Sequence, residues 1–146
     1  GDVFGFQGRS LHTSGVRYIT ILLNEDMPKV FGLNQVNYDK PIFITEGPFD
    51  SLFLENSLAM AGADLSNLGR DGDYVYVLDN EPRNEAITNR IKQLIDSGEK
   101  VVIWPSNIRQ KDINDMVLVG LFVEDIVKSN VYSGLNATLK FNEWKK

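Results

Sequence analysis

The sequence contains no cysteine and only one histidine, His12. Without cysteine the chain can form no disulfide bond, no thiolate-bound zinc site and no cysteine nucleophile, and a single histidine excludes a histidine-rich metal cage. Any metal ion that the chain binds must therefore be held by oxygen atoms, which favours Mg²⁺, Mn²⁺ or Ca²⁺ over zinc. His12 itself is interpreted as a surface residue in a loop.

Long apolar runs are also missing from the sequence. No stretch approaches the roughly 20 residues that a membrane-spanning helix requires, and the chain does not open with the charged and then apolar layout of a signal peptide. We therefore expect a cytoplasmic protein without a membrane partner. The chain opens with Gly1 and not with Met, so we also expect it to be part of a longer protein.

The bulk composition is that of an ordinary globular domain, with 146 residues, 42% of them hydrophobic and 24% charged. A chain of this length is expected to form one compact core. Its net charge of −5 argues against binding nucleic acid through bulk positive potential. That objection weakens if the acidic residues are concentrated at a site where bound divalent cations reverse the local field.

Strands alternate with helices from residue 41 onward, whereas residues 1–40 are glycine-rich and predict a small irregular lobe with short β-like pieces near 16–23. The predicted strands are 42–45, 58–61, 74–78 and 100–104. The predicted helices are 50–55, 85–97, 112–120, 122–128 and 135–144. This alternation predicts an α/β fold with a mostly parallel sheet flanked by helices. The final residues, Trp144-Lys145-Lys146, are interpreted as a frayed helix end.

Acidic residues follow three of the predicted strands. Glu46 comes after the first strand, Asp79 and Glu81 come after the third, and Asp112 lies in the loop after the fourth. Because the carboxyl ends of parallel strands meet at one edge of a sheet, these side chains are expected to lie close together there. Hard cations take several oxygen ligands at once, so the pattern predicts a cation site with Asp50 beside it.

Each of these acidic groups also has a plain structural explanation when it is taken alone. Asp50 and Asp112 stand where helix-capping residues are common, and the acidic turn at 79–81 precedes a helix. Gly47 is expected to allow a tight turn between strand and helix. The metal interpretation therefore depends on the set and not on any one residue.

The motifs that these residues form are Glu46-Gly47-x-x-Asp50, Asp79-x-Glu81 and Asp112-x-Asn114. Their order resembles the Toprim signature that DnaG-type primases share with type IA and type II topoisomerases and some nucleases. Three upstream segments resemble the primase polymerase domain and favour primase over the other families: Gly5-Phe6-Gln7-Gly8-Arg9, Arg17-Tyr18 and Phe31-Gly32-Leu33. Residues 46–54 and 79–84 are most similar to the T-even-type phage primases.

The resemblance implies a Toprim (Rossmann-like) fold and DNA primase activity, in which metal-dependent nucleotidyl transfer makes short RNA primers during phage DNA replication. It implies Mg²⁺ or Mn²⁺ as the cofactor. The implied partners are a single-stranded DNA template, ribonucleoside triphosphates and a replicative helicase. It also divides the chain into a remnant of the polymerase region at 1–40, a Toprim domain at 41–128 and a C-terminal helical tail at 129–146.

The resemblance further assigns roles to individual residues. Glu46 serves as a metal ligand or general base, and Asp79 and Glu81 hold the metal ion. Asp50 and Asp112 assist them as further ligands. The residues implied to contact template or triphosphate are Arg9, Arg17, Lys29 and Arg83. The chain departs from the family pattern at Glu81, Asn84 and Asn114, where the family usually has Asp, Gly and Asp.

Two alternatives remain open on the sequence alone. One is a Toprim nuclease or topoisomerase, although no tyrosine of the chain stands in a setting that suggests the nucleophile of a topoisomerase. The other is a non-catalytic Toprim scaffold that binds nucleic acid or a replisome partner, with a metal site weakened by Asn114 and Glu81.

Overall fold

The computed structural model describes residues 2–11, 15–16, 18–60 and 71–146. Arg17 and His12 lie outside the described residues, so the roles predicted for them have no structural counterpart. None of the helices in the described ranges combines the length and the apolar character that crossing a membrane requires.

The described ranges contain eight strands, five α-helices and one 3₁₀ turn at Leu33–Gln35. The strands are β1 (Gly5–Arg9), β2 (Tyr18–Leu22), β3 (Val30–Phe31), β4 (Ile42–Thr45), β5 (Ser57–Met60), β6 (Tyr74–Val77), β7 (Lys100–Val102) and β8 (Val131–Tyr132). The α-helices are α1 (Pro48–Ser51), α2 (Glu85–Asp96), α3 (Ile113–Leu118), α4 (Val123–Ser129) and α5 (Gly134–Trp144).

The main sheet has six strands in the order β3-β5-β4-β6-β7-β8. The four inner strands run parallel to one another, and the two edge strands pair antiparallel. Every residue of the central strand β4 is buried, because helices cover the sheet and leave no face of this strand for water. The predicted mostly parallel α/β sheet is confirmed.

The helices pack in two groups around this sheet. Helix α2 buries Ile87, Ile91 and Ile95, which recur every four residues and form one apolar stripe. This helix contacts α5, and both contact β7. The second group joins α1, α3 and α4, with Met116 and Val127 fully inaccessible to solvent. The core therefore lies between the sheet and these helices.

Strands β1 and β2 form a separate two-stranded antiparallel sheet, which fits the predicted N-terminal lobe. A Cβ atom on Gly5 would lie 2.9 Å from the carbonyl oxygen of Ile21, so a side chain at this position would collide with the neighbouring strand. The side chains of Phe6 and Ile19 are exposed. The lobe thus has little apolar core of its own.

The helix that follows β4 differs from its predicted range of 50–55. It begins at Pro48, which suits a first helical turn because that turn needs no N–H from proline. It ends at Ser51, whose carbonyl oxygen accepts a hydrogen bond of 2.6 Å from the Ser57 hydroxyl. The chain therefore turns toward β5 earlier than its composition suggests.

The prediction of a frayed C-terminus is wrong. Helix α5 continues to Trp144, whose side chain is only 7% exposed and packs 6.1 Å from the ring of Phe141. Burial of both aromatic rings against the core holds the last turn in place.

Candidate metal centre

Glu46 and Asp79 lie side by side at the carboxyl edge of the sheet. They follow β4 and β6, which are adjacent parallel strands with Thr45 opposite Val77. The backbone N–H of Asp79 acts on the carboxylate of Glu46 and lowers its pKa. The two acidic residues that sequence analysis placed on separate strand ends are therefore neighbours.

Lys111 faces both acidic residues of the loop that follows β6. Its ammonium nitrogen is 3.8 Å from Asp79 Oδ2 and 3.7 Å from Glu81 Oε2. Glu81 Oε2 also accepts a hydrogen bond of 3.3 Å from the side-chain amide of Asn84. Two carboxylate oxygens thus face a single positive charge, which is the arrangement that a bound cation would need.

Asp50 and Asp112 are both tied to the start of α3. Asp50 Oδ1 accepts the backbone N–H of Asn114 at 3.0 Å, and Asp112 Oδ1 accepts that of Asp115 at 2.8 Å. Asp112 is therefore the N-cap of α3, as its plain interpretation suggests. Each of the two carboxylates has one oxygen committed to backbone, so neither is a free bidentate ligand.

Gly47 has a different role from the one predicted for it. Its φ of −109° and ψ of 142° are open to any residue, so the turn does not require glycine. A Cβ atom at this position would instead lie 3.2 Å from Asp50 Oδ2. The missing side chain leaves room for the carboxylate of Asp50 close to the backbone.

Negative charge accumulates at this edge of the sheet. Burial, together with the charges of Glu46 and Asp50, raises the pKa of Asp79 from 3.8 to about 7. Burial likewise raises the pKa of Glu46 and the pKa of Asp50 above their usual values. The positive charges of Lys111 and Arg90 act on Glu46 in the opposite direction. They only partly offset the effect of burial on the pKa of Glu46.

The residues of this edge fit a hard cation that keeps part of its water shell. Among the residues that the structure describes, no three acidic or histidine side chains are preassembled into a metal-binding group. Mg²⁺, however, is commonly bound through one or two carboxylates together with waters and substrate phosphates. The ammonium of Lys111 is the positive charge that Asp79 and Glu81 both face. It marks a position from which one bound cation would face both carboxylates.

Three of the basic residues predicted to contact nucleotides, Arg9, Lys29 and Arg83, lie within the described residues. The guanidinium of Arg9 lies 5.5 Å from the ring centre of Phe49 in α1, a cation–π contact that links the lobe to the main domain. Lys29 lines a cavity of about 340 Å³ that reaches from the lobe to Pro48. Arg83 is exposed in the turn after Glu81.

Three side chains close to the acidic residues were not assigned a role from the sequence. Lys111 precedes Asp112 directly, and a lysine inside an acidic motif was an available signal. Asn80 and Trp144 meet through a hydrogen bond of 2.9 Å across 64 residues of sequence. No local pattern predicts such a contact.

No family model matches the chain, but comparison with known proteins finds a relative. The chain is 37% identical, over its full length, to the DNA primase of Enterobacteria phage T4. By sequence, the chain is related to phage DNA primase. It spans 45% of that primase, so it corresponds to part of the relative. The predicted resemblance to T-even-type phage primases is confirmed.

The fold is also similar to that of a solved bacterial primase. The crystal structure of the Aquifex aeolicus primase, which comprises zinc-binding and RNA polymerase domains, superposes with a TM-score of 0.64. The match covers 88% of this chain and 37% of the bacterial chain at 21% identity. Identity at this level shows a shared α/β fold and carries no argument about individual residues.

Proposed function

We propose that the chain is the catalytic Toprim domain of a DNA primase, which makes short RNA primers on single-stranded DNA during phage DNA replication. One observation carries the proposal. Asp79 and Glu81 face a single positive charge, with Glu46 beside them at the end of the adjacent parallel strand, at the carboxyl edge of a primase-like fold. The family resemblance predicts a cation for these same three residues.

In the proposed reaction a 3′ hydroxyl attacks the α-phosphate of a ribonucleoside triphosphate. A new P–O bond forms, the bond to pyrophosphate breaks, and the hydroxyl proton passes to a base. Bound Mg²⁺ or Mn²⁺ would activate the attacking hydroxyl and neutralise the departing pyrophosphate. Asp79 and Glu81 would hold the ion, and Glu46 would serve as a third ligand or as the general base. Asp50 and Asp112 would assist, and both fix the start of α3.

The proposed contacts with template and triphosphate come from four basic residues. They are Arg9, Arg17, Lys29 and Arg83. Arg9 and Lys29 belong to the lobe, and the cavity that Lys29 lines ends at Pro48, two residues after Glu46. A site built this way reads the backbone of the nucleic acid, so base pairing with the template supplies the sequence information.

The remaining parts of the proposal follow the family. They are a replicative helicase as partner, a cytoplasmic location, and a division into a lobe at 1–40, a Toprim domain at 41–128 and a helical tail at 129–146. Strand β3 joins the lobe's range to the main sheet, and strand β8 joins the tail's range to it. We therefore expect all three parts to unfold together.

Primer synthesis tests the proposal directly. The chain is incubated with single-stranded DNA, ribonucleoside triphosphates and Mg²⁺, and RNA products are separated by electrophoresis. Asp79→Ala should abolish product formation while circular dichroism shows an intact fold. The matched control is Asp96→Ala, which removes an exposed carboxylate paired with Lys92 and should leave activity unchanged. Full activity of Asp79→Ala would show that Asp79 is not part of the catalytic site.

A non-catalytic scaffold is the second candidate, and one observation favours it. The described residues contain no preassembled group of three acidic side chains, and Lys111 already neutralises part of the pair. Calorimetric titration with Mn²⁺ separates the two functions. Binding that depends on Asp79 and Glu46 supports the enzyme, whereas no binding supports the scaffold. Mn²⁺-dependent degradation of DNA would instead indicate a Toprim nuclease.

A further inference from the structure

Asn80 stands between the two acidic residues of the loop after β6, and both its amide nitrogen and its amide oxygen are hydrogen-bonded. Its amide nitrogen donates to the carbonyl oxygens of Ile108 and Gln110, both at 3.0 Å. Its amide oxygen accepts the indole N–H of Trp144 at 2.9 Å. Because two of these partners are carbonyl acceptors and the third is an indole donor, the positions of the amide nitrogen and the amide oxygen of Asn80 are fixed.

The same residue joins the two loops that carry the candidate metal centre. The backbone N–H of Asn80 donates to the carbonyl oxygen of Lys111 at 2.6 Å. Together with the side-chain bonds, this ties the loop of Asp79 and Glu81 to the segment 108–112 that carries Lys111 and Asp112. The spacing between the two halves of the site is therefore set at Asn80.

Trp144 holds Asn80 from the far end of the chain. Its indole has a donor and no acceptor, and the ring is buried, so the N–H would lose a hydrogen bond if Asn80 turned away. The next turn of chain reinforces the contact, since the backbone N–H of Lys146 donates to the carbonyl oxygen of Pro82 at 3.2 Å. The end of α5 thus contacts the acidic loop on both sides of Glu81.

We propose that Asn80 is a positioning residue for the acidic pair and that Trp144 holds it in place, which makes the end of α5 part of the metal centre. The inference deepens the proposed function and rests on it. Neither residue touches the cation. Asn80 sets the separation between Asp79 and Lys111, and Trp144 sets the orientation of the Asn80 amide.

The experiment measures Mn²⁺ affinity, by calorimetry and by the loss of the free Mn²⁺ resonance signal. The proteins compared are wild type, Trp144→Phe, Asn80→Ala and the control Phe141→Leu. Removing a residue that supports metal ligands commonly weakens metal binding by 10- to 100-fold, so we expect about tenfold weakening in Trp144→Phe and at least that in Asn80→Ala. Phe141→Leu removes the ring contact with Trp144 but keeps a buried apolar side chain that holds the last turn of α5, so it should keep wild-type affinity.

The comparison between variants separates positioning from general destabilisation. All measurements are made well below the melting temperature of the least stable variant, so a loss of affinity in Trp144→Phe but not in Phe141→Leu supports positioning. Wild-type affinity in both Asn80→Ala and Trp144→Phe, with binding lost in Asp79→Ala, overturns this inference and leaves the proposed function standing. Absence of Asp79-dependent binding in the wild type overturns both.

Discussion

The two ends of the parallel sheet handle negative charge in opposite ways. At the amino ends of the strands, carboxylates are paired with lysines: Asp73 lies 2.7 Å from the Lys100 ammonium, and Glu124 lies 2.7 Å from that of Lys128. At the carboxyl ends, Lys111 is no closer than 3.7 Å to Asp79 or Glu81. One end is neutralised, and the other keeps a surplus of negative charge.

The pKa values show the same contrast. Burial acts to raise the pKa of Glu124, but the adjacent Lys128 ammonium and a hydrogen bond from the Glu55 backbone N–H lower it below the usual value. At the other end, burial and neighbouring carboxylates raise the pKa of Asp79 to about 7. Glu124 shows that this fold can pair a carboxylate closely with a lysine. The negative charge of Asp79 is less well neutralised, and we attribute this to its position at the carboxyl end of the sheet.

Variants at the two ends of the sheet should differ most in how far added Mg²⁺ raises their melting temperature. At about 30 times its dissociation constant, a ligand specific for the folded state adds about 2 kcal/mol of stability, or roughly 5 °C in melting temperature for a domain of this size. Asp79→Asn should eliminate this shift, whereas Glu124→Gln should retain it. Differential scanning calorimetry with and without Mg²⁺ measures both.

An equal Mg²⁺ shift in Asp79→Asn and in the wild type would show that the ion binds elsewhere. Loss of the shift in Glu124→Gln would show that the two ends are not independent. Ca²⁺ is the useful comparison ion, because it also binds carboxylates but accepts a looser geometry.

The gathering of acidic residues follows from strand-end reasoning, because β4 and β6 are continuous apolar runs that end next to Glu46 and Asp79. Their role as metal ligands stays a prediction. Strand β1 was missed because Gly5 and Gly8 hide any strand pattern, and β3 and β8 have two residues each. Such short strands form only through pairing with the rest of the sheet, which no local pattern encodes.

The contacts that these acidic residues make across the sequence could not be predicted from local patterns. Lys111 and Trp144 reach the acidic loop through contacts that span about 30 and 64 residues. Sequence spacing predicts neighbours on one helix or one strand, and neither contact is of that kind. The sequence predicts which end of the sheet is acidic. It does not predict how the two loops at that end are held together.

Without metal, removing one negative charge should have opposite effects at the two ends. Asp79→Asn relieves repulsion with Glu46 and should stabilise the metal-free chain. Glu124→Gln loses its ion pair with Lys128 and should destabilise it. Both side chains are partly exposed, so solvent screening limits each change to about 1 kcal/mol. Urea denaturation in the presence of a chelator measures the two free energies of unfolding, and a change of the same sign in both variants would contradict the contrast.

The smallest effect is expected from shortening one acidic side chain while keeping its charge. Glu81→Asp gives the residue that the primase family usually has, so primer synthesis should change by no more than about threefold, or 0.7 kcal/mol of activation free energy. Glu81→Gln keeps the length and the contact with Asn84 but removes the charge facing Lys111, and it should lose far more activity. Initial rates of RNA synthesis at saturating Mg²⁺ compare the two variants. If Glu81→Asp loses as much activity as Glu81→Gln, the reach of the side chain matters as much as its charge, and the carboxyl end of the sheet depends on a geometry more exacting than two carboxylates facing one cation.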